Sequence, residues 1–453
     1  MTVTAFTELR GGNPARLLSA APGPDLAAHD YVETEYGVDG IAVRFDDASS
    51  AAAEFAVNST DPAPFRTRIV VRRPRSAATA NGTVIVEWLN VSSGADTAPD
   101  WSYLATEIVR SGYTWVGVSA QFTGVMGGDT SVTGIGPGGA GLAGVDPQRY
   151  AGMNHPGDAY AYDIFGQITR ALRPDGSDDH PLAGLRVDHL LGVGESQSAM
   201  ALTTYVNRIA RHQGYLDGFL LHSRSSTMLP LGEPGAPLDV DASYGGTPVR
   251  IRSDGDVPVF VVQTETDVLT DLCYYQARQP DSELLRVWEM AGTAHADYHQ
   301  IGEFESMLGC PTPVNRGQQR FVLPAALAHL RAWAREDDEP PTAPPLQVVT
   351  TDTAAIFALD EFGNARGGLR TPRIEVATEV LSGIVTGDVP RVCALFGSTV
   401  PVHPDLLRRR YHGRTDYLDQ YAQATAQAID AGHVLRADRD AILADANPDP
   451  LPA

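Results

Sequence analysis

Short apolar runs with almost no polar interruption recur along the chain, most followed by a stretch of helical periodicity. TVIVEWLN precedes DWSYLATEIVRSGY, TWVGVSAQ stands next, HLLGVG precedes AMALTTYVNRIARH, and LDGFLLHS, VPVFVVQTETD and ELLRVWEMAGTAH follow. A strand wetted on one face alternates apolar and polar residues, so runs without alternation belong to strands covered on both faces. In DWSYLATEIVRSGY, Trp101, Leu104, Ile108 and Val109 share a helical stripe, and Gly112 stands where a C-terminal cap belongs. Strand, helix and strand in that order predict parallel pairs joined by right-handed crossovers. Repeated, they predict an α/β fold built on a doubly wound, mostly parallel sheet.

The remaining segments are read against that pattern. Before it come short β-like pieces such as GIAVRF and a strong strand, FRTRIVVRRP. The glycine-rich stretch 122–156 and the Pro/Gly-rich stretch 223–256 are expected to be lid-like insertions over a site. Between them GDAYAYDIFGQITRAL places Ala161, Ile164, Phe165, Ile168 and Leu172 on one helical stripe, and LCYYQARQ is a further expected helix. After the helix FVLPAALAHLRAWARE comes a proline-rich connector, then expected paired strands around the turn FGN, then helices near 404–433. The organisation predicted is a core over 1–335 and a β-hairpin and helical extension over 336–453, packed on that core.

Composition removes several functions. A formal net charge of −22 does not suit a nucleic-acid partner, which requires a clustered positive field. All 34 basic residues are arginine. Without lysine there is no Walker-type phosphate loop, pyridoxal Schiff base or Ser-x-x-Lys nucleophile. Cys273, Cys310 and Cys393 stand far apart and form no C-x-x-C, so buried thiols are expected, with a single disulfide as the alternative. The start carries no basic segment followed by an apolar stretch, and no run of about 18 apolar residues occurs. A cytoplasmic protein without a membrane partner is therefore expected; the sequence does not set its oligomeric state.

The chemistry concentrates at Gly194-Glu195-Ser196-Gln197-Ser198, between an apolar strand and a helix. A nucleophile elbow reads G-x-S-x-G, and here serine replaces the last glycine. Hydroxyl attack on an ester needs a base to take the proton, an acid to orient that base, and donors for the oxyanion. Downstream, VPVFVVQTETD delivers Glu265 and Asp267 at a strand end, and AGTA leads into His295, giving the order nucleophile, acid, base. Asp267 is the favoured acid by its spacing from Pro258, with Glu265 as the alternative. His295, at the strand terminus, is favoured over His299. Gln197 and either Asn90 or Val91, in the loop WLNVSSG, are the candidate oxyanion donors. Arg224 and Tyr150 are candidates for substrate binding. The His295-x-x-x-His299 spacing lacks the glutamate of H-E-x-x-H, so no metal is expected. Taken singly, Ser196 could be a turn serine, Asp267 a helix cap and His295 a loop histidine; the conjunction in one order at strand ends points to a triad.

The segments HPGDAYAYDIFGQ, GESQSAMALTTYVN, DGFLLHSR, VQTETDV, AGTAHAD, LRTPRIEVATE and CALFGSTVP resemble a bacterial and fungal family of α/β-hydrolase domain proteins with a G-x-S-Q-S elbow. The resemblance spans most of the chain and implies a cofactor-free, esterase-like Ser-His-acid enzyme. The expected activity is cleavage of a small-molecule carboxylic ester or lactone. Two alternatives stand beside it: an acyltransferase with the same triad, and a non-catalytic small-molecule binder on the same fold.

Overall fold

The structure is a computed structural model and describes residues 3–18, 21, 23–47, 57–130, 139–352 and 354–452. Nine strands form its main sheet: β1 (Val3–Glu8), β2 (Tyr31–Asp47), β3 (Val57–Pro74), β4 (Thr83–Trp88), β5 (Thr114–Val118), β6 (His189–Glu195), β7 (Gly218–His222), β8 (Val259–Thr264) and β9 (Leu285–Met290). Their order across the sheet is β1-β2-β3-β5-β4-β6-β7-β8-β9. β4 through β9 pair in parallel, with Val86 opposite both Val116 and Gly192. β1, β2 and β3 form an antiparallel flank, and β3 joins the parallel part by antiparallel pairing with β5.

The helices used below are α1 (Pro99–Arg110), α2 (Ala161–Ala171), α3 (Gln197–Thr204), α4 (Glu265–Leu269), α5 (Gln319–Glu336) and α6 (Arg414–Asp430). Successive strand side chains point to opposite faces. In β4, Val84, Val86 and Trp88 meet α2 and α3 in one apolar cluster, whereas Ile85 meets α1 and α5 in the other. This two-sided burial is why the strands read as unbroken apolar runs. The exception in β4 is Glu87, fully buried, whose carboxylate accepts from Asp100 N at 3.1 Å, Trp101 N at 2.9 Å and Trp115 Nε1 at 2.8 Å. It satisfies N–H groups that the first turn of α1 leaves without helical partners.

Residues beyond 335 share the core. Leu369, Val376, Tyr417, Tyr421 and Ile442 pack in the same cluster as Trp288 of β9 and Leu323 and Trp333 of α5. The expected strand pairing there is displaced. The antiparallel pair Val348–Thr350 with Ala355–Phe357 turns before FGN, where the Asp360 carboxylate instead accepts from the backbone of Phe362, Gly363 and Asn364. A second pair joins Glu379–Ser382 to Ser398–Pro401, and the expected helical tail appears as Pro404–Arg410 and α6. The expected helix LCYYQARQ shrinks to a single turn at Tyr274–Ala277. Of the glycine-rich insertion, 131–138 lie outside the described residues.

Cys310 and Cys393 are joined in a disulfide, which corrects the reading of three buried thiols, while Cys273 is free. The pairing follows from tertiary proximity: Cys393, on the short helix Arg391–Phe396, packs with Val314, Ala296 and Phe396 beside Cys310. Among the described residues no helix is long and apolar enough to cross a membrane.

Candidate active site

Ser196 sits at the junction of β6 and α3 with φ 59° and ψ −120°. A non-glycine residue in that region is strained, and a sharp strand-to-helix turn is what projects a side chain above the sheet. The turn is held by Ser196 N donating to His222 O of β7 at 2.9 Å. Gly194 makes room for it, because a Cβ there would stand 3.0 Å from Ser198 Cβ and 2.9 Å from Leu202 Cδ1.

His295 arrives from the loop after β9, and its Nε2 meets Ser196 Oγ at 2.8 Å. Its other nitrogen, Nδ1, meets Asp267 Oδ1 at 2.7 Å. Asp267 is fixed in turn by the start of α4: Oδ2 accepts from Thr264 N at 2.7 Å, and Asp267 N donates to Thr264 Oγ1 at 3.4 Å. That reciprocal pair is a capping box. Asp267 is thus both a helix-cap residue and the carboxylate on His295. All three side chains are buried. Burial works against an imidazolium, but the charges of Glu195 and Asp267 and the Asp267 hydrogen bond outweigh it, and His295 is shifted upward.

Glu265 goes elsewhere. Its carboxylate accepts from Gly292 N at 2.6 Å and Gly383 N at 2.9 Å, tying the His295 loop to the C-terminal segment, and burial pushes it up to about 7. His299 is likewise occupied, with Nε2 3.0 Å from Ser102 O.

The oxyanion candidates separate. Gln197 opens α3, where an N–H has no intrahelical acceptor. Val91 N donates to the Gln197 side chain, Oε1, at a long 3.3 Å. Asn90 N, however, donates to Thr97 O at 3.0 Å, which corrects its expected role as a backbone donor. Its side chain enters the site instead: Nδ2 donates to Glu195 O at 3.1 Å and to Glu195 Oε2 at 3.4 Å.

The two substrate-binding candidates are not brought to Ser196 by any contact. Tyr150 is buried with Leu9, Val125 and Leu142, and its hydroxyl bonds Ala15 N and Glu35, which corrects the expectation of a pocket residue. Arg224 is fully buried beside the Tyr274 ring and has no ion-pair partner among the described residues. Its Nε and Nη2 donate to the carbonyls of Ser225, Ser226 and Val249, and burial lowers it to about 10. These bonds hold the 223–256 insertion together.

A family model described as an alpha/beta hydrolase domain matches residues 5–444. The chain belongs to that family. Solved structures resemble this alpha/beta hydrolase domain distantly. Fungal esterases from Rhizomucor miehei are 11% identical, with 66% of this chain and 85% of that chain covered at a TM-score of 0.31. A serine hydrolase without lid from Xanthomonas campestris is 12% identical, with 57% and 85% covered at a TM-score of 0.30. Likenesses at these TM-scores carry no argument about activity. A comparison with curated proteins finds no match.

Within this hydrolase domain, sequence reasoning left Glu195 and His222 without roles. Glu195 Oε1 lies 3.4 Å from His295 Nε2. His222 Nδ1 lies 3.0 Å from Asp100 Oδ1, both fully buried; burial raises Asp100 to about 8 and lowers His222. Glu195 stood in view inside the elbow motif, but nothing in a linear spacing shows which way its side chain turns.

Proposed function

We propose that the protein is a serine hydrolase that cleaves a small carboxylic ester or lactone through an acyl-enzyme. The observation that carries this reading is the continuous contact from Ser196 Oγ through His295 to Asp267, at 2.8 and 2.7 Å. His295 Nε2 takes the hydroxyl proton as Ser196 Oγ bonds the substrate carbonyl carbon, and Asp267 keeps the ring oriented with its proton on Nδ1. The backbone N–H groups of Gln197 and Val91 face the oxyanion, Val91 exchanging its long contact with Gln197 Oε1 for the charged oxygen. His295 then gives the proton to the leaving alkoxide. Water attacks the acyl-Ser196 carbonyl, His295 takes its proton, and collapse returns that proton to Ser196 Oγ with release of the acid. The cycle needs no cofactor.

Arg224, which makes no contact with Ser196, stays a candidate for an acyl-side carboxylate only through Nη1, the guanidinium nitrogen without a hydrogen-bond partner among the described residues. The Cys310–Cys393 disulfide weighs toward an oxidising compartment over the expected cytoplasm, because thiol pools keep cytosolic cysteines reduced.

The test is turnover of a panel of p-nitrophenyl esters and lactones by the wild type and Ser196→Ala, with and without added alcohol. Hydrolysis lost by roughly 10⁵- to 10⁶-fold in the variant is expected. Full turnover by Ser196→Ala contradicts the reading, and transfer to the alcohol in preference to water selects the acyltransferase alternative.

A further inference from the structure

Glu195 stands against the triad without belonging to it. Its Oε1 is 3.4 Å from His295 Nε2, the same nitrogen that meets Ser196 Oγ at 2.8 Å. The side chain is not free to swing away. Glu195 is the last residue of β6, in register with His222 of β7, and Asn90 Nδ2 holds both its carbonyl and its carboxylate. His295 therefore lies between two carboxylates, Asp267 at Nδ1 and Glu195 at Nε2, in a site where charge is poorly screened.

We propose that Glu195 is a positioning residue for the triad: its carboxylate stabilises the imidazolium formed when His295 takes the Ser196 proton, and its own protonation withdraws that help. The proposal rests on the Ser196–His295–Asp267 reading. Glu195 takes no proton from substrate or serine; Ser196 Oγ–H breaks, Nε2–H forms, and Glu195 faces the resulting charge.

The surroundings make this residue sensitive to pH. The ionisable groups acting on it are His295 from the loop after β9, Asp267 from α4, His222 from β7, and Asp100 from α1. Glu195 also acts on Tyr103 of α1 and on Tyr244 of the 223–256 insertion, while Arg391 acts on His295. Burial pushes Glu195 up to about 7, with His295 and His222 drawing it back. Each charge therefore favours the other: Glu195 draws His295 upward, and His295 draws Glu195 down.

The experiment is the pH profile of kcat/KM for an ester turned over by the wild type, Glu195→Gln, Glu195→Asp and Ser196→Ala. Glu195→Gln is expected to lower the plateau by about tenfold, a fraction of a general base's contribution, and to move the acid limb to lower pH, since His295 then loses its proton more easily. Glu195→Asp, which keeps the charge, holds its limb closer to that of the wild type. A role confined to packing lowers the plateau and leaves the limb in place, and that result overturns the proposal. Where Glu195→Gln does not fold, Glu195→Ala is read in the same way: a limb moved to lower pH supports the proposal, and a limb left in place overturns it. Activity in Ser196→Ala overturns the triad reading and this proposal together, whereas an inactive Ser196→Ala with an unmoved Glu195→Gln limb overturns this proposal alone.

Discussion

Gly194 and Ser198 face each other across the elbow so closely that a Cβ on Gly194 would lie 3.0 Å from that of Ser198. The two positions of the motif therefore differ in tolerance. Gly194→Ala forces strand and helix apart and is expected to cost about 1–3 kcal/mol of stability, with loss of activity, by overpacking. Ser198→Ala removes a buried hydroxyl that has no hydrogen-bond partner among the described residues. It is expected to unfold at or above the wild-type temperature and to keep its turnover, because an unsatisfied buried hydroxyl carries a desolvation cost. Thermal unfolding with ester turnover on both variants checks the contrast.

Asp267 and Glu265 are two residues apart and are expected to fail differently. Asp267→Asn leaves the capping-box shape but presents the wrong partner to His295 Nδ1, so kcat is expected to fall by about 10⁴-fold. Glu265→Gln keeps one acceptor for the two glycine N–H groups and is expected to lose stability by about 1–2 kcal/mol while retaining most of kcat. Equal losses of kcat in the two variants contradict the assignment.

Glu265 also gives stability a pH dependence with a definite sign. Its ordinary value is 4.5, and burial raises it to about 7 in the folded chain, so the folded state binds the proton more tightly. Its contribution is then fully present below pH 4.5 and is lost as pH rises through about 7. Denaturant unfolding across that window is expected to show wild-type stability declining relative to Glu265→Gln. A difference between the two that is constant with pH contradicts the shift.

The disulfide closes a loop of 83 residues and secures the helix Arg391–Phe396, whose Leu395 O accepts from Ala296 N next to His295. The double variant Cys310→Ala/Cys393→Ala is expected to lose about 2–4 kcal/mol of stability. Because the same helix braces the His295 loop, kcat is expected to fall at temperatures where the variant is still folded. Unchanged unfolding on reduction contradicts a structural role for the bond.

The sheet was legible because burial on both faces leaves an unmistakable pattern in β4 and β6, and the grouping of Ser196, Asp267 and His295 was legible because each follows a strand of the parallel part within a few residues. Contacts between distant loops were not. Tyr150 reads as a pocket aromatic, yet its hydroxyl reaches Glu35, 115 residues away. Asn90 was placed in the correct loop, but the bridge from its N–H to Thr97 O depends on how that loop folds back. Cys310 and Cys393 carry no spacing signature; the packing of Val392, Phe396 and Val314 brings them together. Periodicity reports which face is buried, whereas these roles depend on what meets that face.

The most direct measurement is intact-protein mass spectrometry after incubation with a fluorophosphonate, followed by peptide mapping. A single covalent adduct on Ser196, formed by the wild type and absent in both Ser196→Ala and His295→Ala, is the expected result. An adduct on another residue, or undiminished labelling of Ser196→Ala, contradicts Ser196 as the nucleophile.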